Sequence, residues 1–305
     1  MRAAFLGTPS AAVPSLAALL EIADVELVVT RPNRPKGRSL RDAEPPVKAA
    51  ASEWGLRVEQ PESGPDLVAA LEERDLDVAL VVAYGRILSA RALAATRVGF
   101  VNVHFSLLPR WRGAAPVERA ILTGDDVTGV SLMHIDEGLD TGAIINAHET
   151  EIGEEETAGS LTGRLASLGA SMVTEVLPDF VHGRRNPAPQ IEAGVLYADR
   201  LTSADARLDP ADSAVLAARQ VRAFHPRPGA WTTVEGKRLR VLDASYVAAD
   251  VEPGHIEVDA GYPVMGFSDG GLVLTVVQPA GKRPQPGAAW VSGRRGAPAV
   301  VDETG

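Results

Sequence analysis

Four short, mostly apolar runs most constrain how the first half of this chain can fold. They occupy residues 3–6, 25–30, 77–83 and 100–104, and segments with helical character separate them. Continuously apolar runs that alternate with helices are typical of parallel strands covered on both faces of a sheet. The pattern therefore predicts an α/β fold with a mainly parallel sheet, whose ligands gather beyond the carboxyl ends of the strands.

The character of the sequence changes near residue 205. One predicted helix, over residues 211–224, is followed by short β-rich runs between residues 230 and 278, with Gly and Pro between them. Short strands at this spacing predict a small sheet or barrel. We therefore expect two domains, one formed by residues 1–204 and one formed by residues 205–305.

The charge of the chain argues against general nucleic-acid binding. Its 40 acidic residues outnumber its 30 basic ones, which gives a net charge of -10 at pH 7, whereas general binding depends on basic side chains that neutralise phosphates. Residues 205–305 carry 11 basic and 12 acidic side chains, so most of the excess lies before them. The contrast between an acidic first domain and a nearly neutral second domain indicates that the two domains have different functions.

The sequence also indicates the compartment. There is no cysteine, which excludes disulfides and thiolate metal sites and fits a reducing environment. Residues 1–20 are apolar enough to suggest a signal peptide, but Pro9 and Pro14 interrupt them, so we predict a strand and then a helix. No later stretch is long and apolar enough to span a membrane. We expect a cytoplasmic chain without membrane partners.

Polar residues end the fourth apolar run. Asn102 and His104 are two positions apart, which points both side chains to one face of a strand, and Asp140 follows in a Gly-rich segment. The amide and a protonated imidazole can donate hydrogen bonds to a developing oxyanion, and the carboxylate can orient the imidazole and help move protons. These residue types suit acyl transfer. Taken one at a time, they are more often a strand cap, a buried polar pair or a turn residue.

Several other chemistries lack their motifs. The sequence contains no Gly-rich phosphate loop ending in Gly-Lys-Ser/Thr, no Gly-x-Gly-x-x-Gly after the first strand and no His-Glu-x-x-His helix. A zinc site made of His104, His134 and Asp140 is conceivable, but no pair of them has a recurrent ligand spacing. We therefore expect no metal.

The segment from residue 102 to residue 145 resembles the core of the folate-dependent formyltransferases. Asn-x-His, then Ser-Leu-Leu-Pro, then the Asp of Gly-Leu-Asp-Thr-Gly occur in that family's order and approximate spacing. Outlying segments, among them FLGTP, RPNRPKGR, VVAYGRIL, RAFHPRPGAW and QPAGKR, look like the branch of the family that acts on an aminoacylated tRNA. The resemblance extends over nearly the whole chain.

The resemblance implies a Rossmann-like catalytic domain followed by a small OB-like β-barrel domain. It implies that a formyl group moves from 10-formyltetrahydrofolate to the α-amino group of methionine on initiator methionyl-tRNA. Asn102, His104 and Asp140 would then be the catalytic trio. The folate site would include the next motif, which consists of Ser106, Leu107, Leu108 and Pro109.

The tRNA contacts are likewise implied by the resemblance. Arg112 and Gly113 belong to a loop at the entrance through which methionine and the tRNA 3′ end arrive. Arg38 lies in a loop that the family uses to grip the acceptor stem, and Lys282 and Arg283 lie in the barrel that supports the tRNA. Basic side chains of that kind can follow a polynucleotide backbone. We expect the chain to act as a monomer.

Two alternatives remain open at the level of sequence. One keeps the chemistry and changes the acceptor to a small amine, either an amino sugar nucleotide or glycinamide ribonucleotide. The second domain argues against it, since a small acceptor needs no polynucleotide-supporting barrel. The other is a catalytically silent protein that binds RNA or folate, against which the intact trio argues.

Overall fold

A computed structural model describes residues 1–36, 41–295 and 297–302 of the chain. The helices within these ranges are α1 (Val13–Ile22), α2 (Pro46–Glu53), α3 (Gly64–Glu72), α4 (Ala90–Leu93), α5 (Pro116–Thr123), α6 (Ala158–Val181), α7 (Ala214–Ala223) and α8 (Gly287–Gly293). A 3₁₀ turn, Ser10–Ala12, precedes α1.

The strands complete the list of regular elements in the described ranges. They are β1 (Arg2–Gly7), β2 (Asp24–Val29), β3 (Arg34–Lys36), β4 (Arg41–Ala43), β5 (Val58–Glu59), β6 (Leu76–Val82), β7 (Thr96–His104), β8 (Arg112–Gly113), β9 (Val127–His134), β10 (Ile144–Glu151), β11 (Tyr197–Ala198), β12 (Ala230–Val234), β13 (Lys237–Val247), β14 (His255–Asp259), β15 (Tyr262–Phe267), β16 (Gly270–Pro279), β17 (Gln285–Pro286) and β18 (Ala299–Val300).

Internal contacts divide the chain into two units. The first consists of Met1–Pro116, Val127–Glu151 and Thr162–Asp199. The second consists of Val117–Asp126, Ile152–Leu161 and the chain from Arg200 onward. Two short stretches of the first 204 residues thus belong to the second unit, a grouping that depends on contacts between segments far apart in sequence.

The first unit contains a seven-stranded sheet in the order β10-β9-β7-β6-β1-β2-β5. Neighbouring strands from β7 to β5 pair in parallel, while β9 runs antiparallel to both β7 and β10. This arrangement confirms the mainly parallel sheet. Each of the four apolar runs contributes a strand, since only strands covered on both faces keep so many consecutive apolar side chains from water.

The register of this sheet aligns the carboxyl ends of its central strands. Leu6 in β1 pairs with Val81 in β6, which in turn pairs with Asn102 in β7. Paired residues of parallel strands share a face, so Asn102 continues the row of Leu6 and Val81. Further back on that face, Phe100 is fully buried in an apolar cluster with residues of α3. The polar positions therefore begin where the apolar cover ends.

Helix boundaries follow local chemistry. The structure starts α1 at Val13, so Pro14 falls in the first turn, where its missing N–H would have had no partner. The predicted helix over residues 211–224 begins later, at Ala214, because the Ser213 hydroxyl accepts a hydrogen bond from the Leu216 N–H at 3.1 Å and caps it.

The second unit contains a curled antiparallel sheet in the order β12-β13-β16-β15-β14-β18, with β17 paired to β16. Its inner face packs against α7 around buried apolar side chains such as Val221, Leu239, Phe267 and Leu274. This half-barrel confirms the small β-rich fold that the spacing of short strands predicts. In the described parts of both units, we find no helix with the length and apolarity needed to cross a bilayer.

Candidate functional site

His104 closes β7 and its ring is held from one side by a backbone carbonyl. The side chain is buried, and its Nε2 lies 2.9 Å from the Trp111 carbonyl oxygen. A carbonyl oxygen can only accept, so Nε2 carries the hydrogen and donates it. The other ring nitrogen, Nδ1, lies 3.7 Å from Asp140 Oδ2. Nδ1 is therefore the ring atom at which a proton can be gained or lost.

Asp140 lies in the loop between β9 and β10, 36 residues beyond His104 in sequence. Its Oδ2 accepts a hydrogen bond from the Gly113 N–H at 2.8 Å. Its backbone carbonyl accepts another from Gln190 Nε2 at 2.7 Å. The carboxylate is thus oriented by two segments that the sequence places far away, and it faces His104.

Asn102 lies two residues before His104 in β7, so both side chains project from the same face of the strand. The Asn102 side chain is half-buried, and within the described residues it makes no hydrogen bond to the protein. Its amide can therefore donate to a bound group. An unengaged amide beside an imidazole that is paired with a carboxylate can stabilise a developing oxyanion and move a proton.

The predicted folate motif follows β7 directly as a tight loop that begins at Ser106. The buried Ser131 hydroxyl, opposite His104 in β9, donates to the Ser106 carbonyl at 2.7 Å and accepts from the Leu108 N–H at 3.0 Å. Ser106 Oγ in turn donates to the Arg110 carbonyl at 2.7 Å. Leu107, Leu108 and Pro109 are each half-buried and so present part of their surface beside the end of β7.

Arg112 and Gly113 form β8, which pairs with Tyr197 and Ala198 of β11. The Arg112 guanidinium is 6% exposed and donates to Gln190 Oε1 from Nε at 3.0 Å and from Nη2 at 2.7 Å. Gly113 has a φ of 121°, and an added Cβ would lie 2.8 Å from the Ala198 carbonyl oxygen. Only glycine fits this position without strain, which keeps the N–H that holds Asp140 in place.

The remaining predicted contacts lie elsewhere. Arg38 is outside the described residues, between β3 and β4. Lys282 and Arg283 are exposed in the turn between β16 and β17 of the second unit. Lys282 also borders a cavity of about 320 Å³, whose wall includes Arg238, Trp290 and Arg294. This lining is basic and aromatic, which is the combination that binds nucleic-acid backbones and bases.

Two guanidinium groups that border this cavity lie over indole rings. The Arg238 guanidinium carbon lies 3.7 Å from the centre of the Trp231 ring, and that of Arg294 lies 5.3 Å from the centre of the Trp290 ring. Glu235, which also borders the cavity, is ion-paired with Arg294 at 2.7 Å. Its carboxylate therefore cancels little of the positive charge of the other basic groups.

Sequence reasoning missed three groups in the first unit. The Trp111 carbonyl is a main-chain atom and has no sequence signal. Ser131 and Gln190 are single polar residues, in an apolar strand and in a Pro-rich turn respectively, and neither belongs to a motif that the sequence makes visible. Their roles depend entirely on which residues the fold brings beside them.

Further polar residues of the same unit lie beyond β2, β5 and β6 and were not predicted. Arg31 Nη1 donates to the Gly85 carbonyl at 2.6 Å, and Gln60 Nε2 donates to the Arg31 carbonyl at 2.7 Å. Burial raises the pKa of the nearby Tyr84 hydroxyl, although the positive charges of Arg86 and Arg31 act in the opposite direction. Arg31 and Arg86 add positive charge to the edge of the sheet at which the parallel strands end.

The conceivable zinc site would need three ligand side chains in one place. Within residues 1–36, 41–295 and 297–302, no three His, Asp or Glu side chains come together in a way that could hold a metal ion. His134 instead lies with its ring 6.0 Å from that of Phe180. The fold brings His104 and Asp140 together as a pair, with Nδ1 and Oδ2 3.7 Å apart.

Comparisons with known proteins agree with these observations. The family model described as "Formyl transferase" matches residues 1–177, and that described as "Formyl transferase, C-terminal domain" matches residues 200–295. The chain is 44% identical over 306 residues to a protein of Halorhodospira halophila named methionyl-tRNA formyltransferase, covering 96% of each. It is 41% identical over 319 residues to a protein of that name from Acidothermus cellulolyticus, covering 98% of each.

A solved structure shares the fold. The N-formyltransferase of Helicobacter canadensis, in complex with folinic acid and dTDP-3-aminofucose, matches with a TM-score of 0.69 at 18% sequence identity. The match covers 89% of this chain and 98% of that one. At this identity the likeness concerns the architecture alone.

Proposed function

We propose a specific reaction from the premise that this chain belongs to the formyl transferase family. The reaction transfers a formyl group from 10-formyltetrahydrofolate to the α-amino group of methionine on initiator methionyl-tRNA. The observation that carries the proposal is the near-full-length identity of 41–44% to relatives that bear that activity in their names. Asn102 and His104 of β7, with Asp140, supply the chemistry that such a transfer needs.

The proposed mechanism assigns a task to each member of the trio. The neutral amine attacks the formyl carbon, and negative charge gathers on the formyl oxygen. There the Asn102 amide and the Nδ1–H of protonated His104 donate hydrogen bonds. Asp140 supports the charged imidazole and takes part in moving the amine proton to the folate nitrogen, which leaves. The new C–N bond replaces the old one, so no covalent enzyme intermediate is needed.

Both substrates must be held side by side, because proximity supplies much of the acceleration. The loop that Ser131 fixes, with Ser106, Leu107, Leu108 and Pro109, lies directly beyond His104 and is our proposed folate contact. The folinic acid in the Helicobacter canadensis structure supports a folate-type donor for this fold. The β8 loop with Arg112 and Gly113 is the proposed entrance for the aminoacyl end.

The second unit is proposed to carry tRNA contacts of its own. Lys282 and Arg283, beside the basic and aromatic cavity, are proposed to contact its backbone. Arg38 is proposed to grip the acceptor stem on the basis of the resemblance alone. The boundary near residue 205, the monomeric state and the cytoplasmic location also stay predictions.

A direct assay tests the acceptor. The purified chain, with 10-formyltetrahydrofolate, is offered charged initiator tRNA, charged elongator tRNA and an amino sugar nucleotide in parallel. We expect efficient formylation of initiator methionyl-tRNA alone. Transfer only to the amino sugar would replace the proposal with the small-acceptor function. No transfer to any acceptor, despite tRNA binding, would indicate a catalytically silent protein.

Substitutions test the mechanism in the same assay. Replacing Asn102, His104 or Asp140 by Ala should each lower kcat at least about a hundredfold, the scale of losing an oxyanion donor or an acid–base group. Circular dichroism and thermal melting check that each variant is folded. Near-normal kcat in a well-folded His104→Ala variant would contradict the mechanism.

A further inference from the structure

We propose that Gln190 is a positioning residue for Asp140, and that Arg112 fixes the direction in which the Gln190 amide points. Gln190 touches neither reacting group, and it acts by holding the backbone of the loop that carries the Asp140 carboxylate. The effect on catalysis rests on the proposed function, whereas the effect on geometry does not.

Asp140 needs such support because its backbone conformation is unfavourable. It lies outside regular secondary structure and has a φ of 51°, in the left-handed region that non-glycine residues rarely adopt. Such a conformation persists only where surrounding contacts impose it. The gap of 3.7 Å between Asp140 Oδ2 and His104 Nδ1 leaves little tolerance for movement of this loop. A displacement of about 1 Å can cost a hundredfold in rate.

Gln190 binds the loop at two points that flank Thr141. Its Nε2 donates to the carbonyl of Asp140 at 2.7 Å and to that of Gly142 at 2.8 Å. The segment that carries Gln190 is itself anchored to the start of β10, since Ala188 and Ile144 exchange two backbone hydrogen bonds of 2.8 Å. The side-chain amide thus connects the Asp140 loop to the edge of the sheet.

Arg112 determines the orientation of this amide. A guanidinium has donors and no acceptor, so its two hydrogen bonds must go to the amide oxygen, Oε1. The amide nitrogen then has to face the two carbonyls. Arg112 is almost fully buried, yet no carboxylate among the described residues forms an ion pair with it.

The identity of residue 190 is therefore informative. Glutamate would satisfy the buried Arg112 charge more strongly than a neutral amide does. It would, however, place a carboxylate oxygen against the carbonyls of Asp140 and Gly142, which offer no hydrogen. The advantage of glutamine lies in its two N–H groups, and these point to the catalytic loop.

The substitution Gln190→Glu separates positioning from stability. It keeps the shape, gives Arg112 an ion pair and removes both hydrogen bonds to the loop. We expect a Tm equal to or above that of the wild type, a kcat about ten- to a hundredfold lower and a KM for 10-formyltetrahydrofolate within about twofold. Arg185→Ala is the matched control, because Arg185 ties the same segment to Ile145 and Asn146 away from the site. Its kcat should stay within about twofold.

A second readout does not depend on activity. The ¹⁵N resonances of the imidazoles are recorded, and those of His104 are identified by their loss in His104→Asn. The His104 Nδ1 resonance should shift in Gln190→Glu and stay in place in Arg185→Ala. Wild-type kcat in Gln190→Glu, or an unshifted Nδ1, would overturn the proposal, as would a kcat loss matched by the control. If Gln190→Glu did not fold, Gln190→Met would remove the same donors and face the same criteria. Failure of the wild type to formylate tRNA would refute the proposed function and leave the resonance test valid.

Discussion

Ser131→Ala is the substitution that most directly tests how the predicted folate loop is built. The Ser131 hydroxyl is fully buried and joins β9 to the loop through two hydrogen bonds, to the Ser106 carbonyl and from the Leu108 N–H. Alanine removes the hydroxyl and leaves a space the size of one oxygen atom. Both loop groups lose their partner, while the rest of the sheet is unchanged.

The two lost bonds set the expected magnitude. The Ser106 carbonyl stays buried, and an unsatisfied buried acceptor costs about 1–3 kcal/mol. The Leu108 N–H is only partly buried, so water can replace its partner, and the loss there is about 0.5–1.5 kcal/mol. Together they lower the free energy of unfolding by about 1.5–4.5 kcal/mol. Because the loop would also lose its fixed shape, the KM for 10-formyltetrahydrofolate should rise about tenfold, equivalent to about 1.4 kcal/mol.

Urea unfolding at equilibrium and steady-state kinetics with varied folate measure the two effects. Ser292→Ala is the control, since the Ser292 hydroxyl only donates to the Ala288 carbonyl along α8. It should change neither the free energy of unfolding nor the free energy that corresponds to the folate KM by more than about 0.5 kcal/mol. A Ser131→Ala variant with unchanged stability and folate KM would refute the reasoning that this hydroxyl holds the loop.

Three further outcomes are expected. Gly113→Ala should lower kcat about tenfold and destabilise the chain by about 1–3 kcal/mol, because its Cβ would meet the Ala198 carbonyl and displace the N–H that holds Asp140. Gly55→Ala is the control, because Gly55 has a φ of 71° and open space around it, so this variant should lower Tm alone. Equal losses of kcat in Gly113→Ala and Gly55→Ala would contradict the argument. Burial raises the pKa of Glu118 in the folded chain above its ordinary value of 4.5. The contribution of this carboxyl group to stability is therefore full below pH 4.5, and it is lost as the pH rises through the raised pKa of the folded chain. Glu118→Gln should therefore raise the free energy of unfolding at about pH 7.5 but not at about pH 4, and an equal change at both would exclude this cause. Activity should survive dialysis against a chelator, since the described residues contain no ligand cluster; loss that zinc alone restores would refute this.

Much of the fold was predictable because it depends on local composition. Each of the four apolar runs became a strand of the central sheet, and the short β-rich runs after residue 205 became the half-barrel. The strand spacing also placed Asn102 and His104 on one face, since side chains alternate along every strand. Boundaries were less predictable, and α7 begins three residues late because one serine hydroxyl caps it.

The sequence by itself indicated Asn102, His104 and Asp140 as candidates for chemistry, and the resemblance joined them into one predicted trio. Only the tertiary structure decided how Asp140 is held. Its supports come from Gly113, which is 27 residues before it, and from Gln190, which is 50 residues after it. Hydrophobic periodicity reports the face of an element that is buried, because burial repeats with the period of the element. A hydrogen bond between two loops has no period, so it becomes visible only when the chain has folded and brought the partners together.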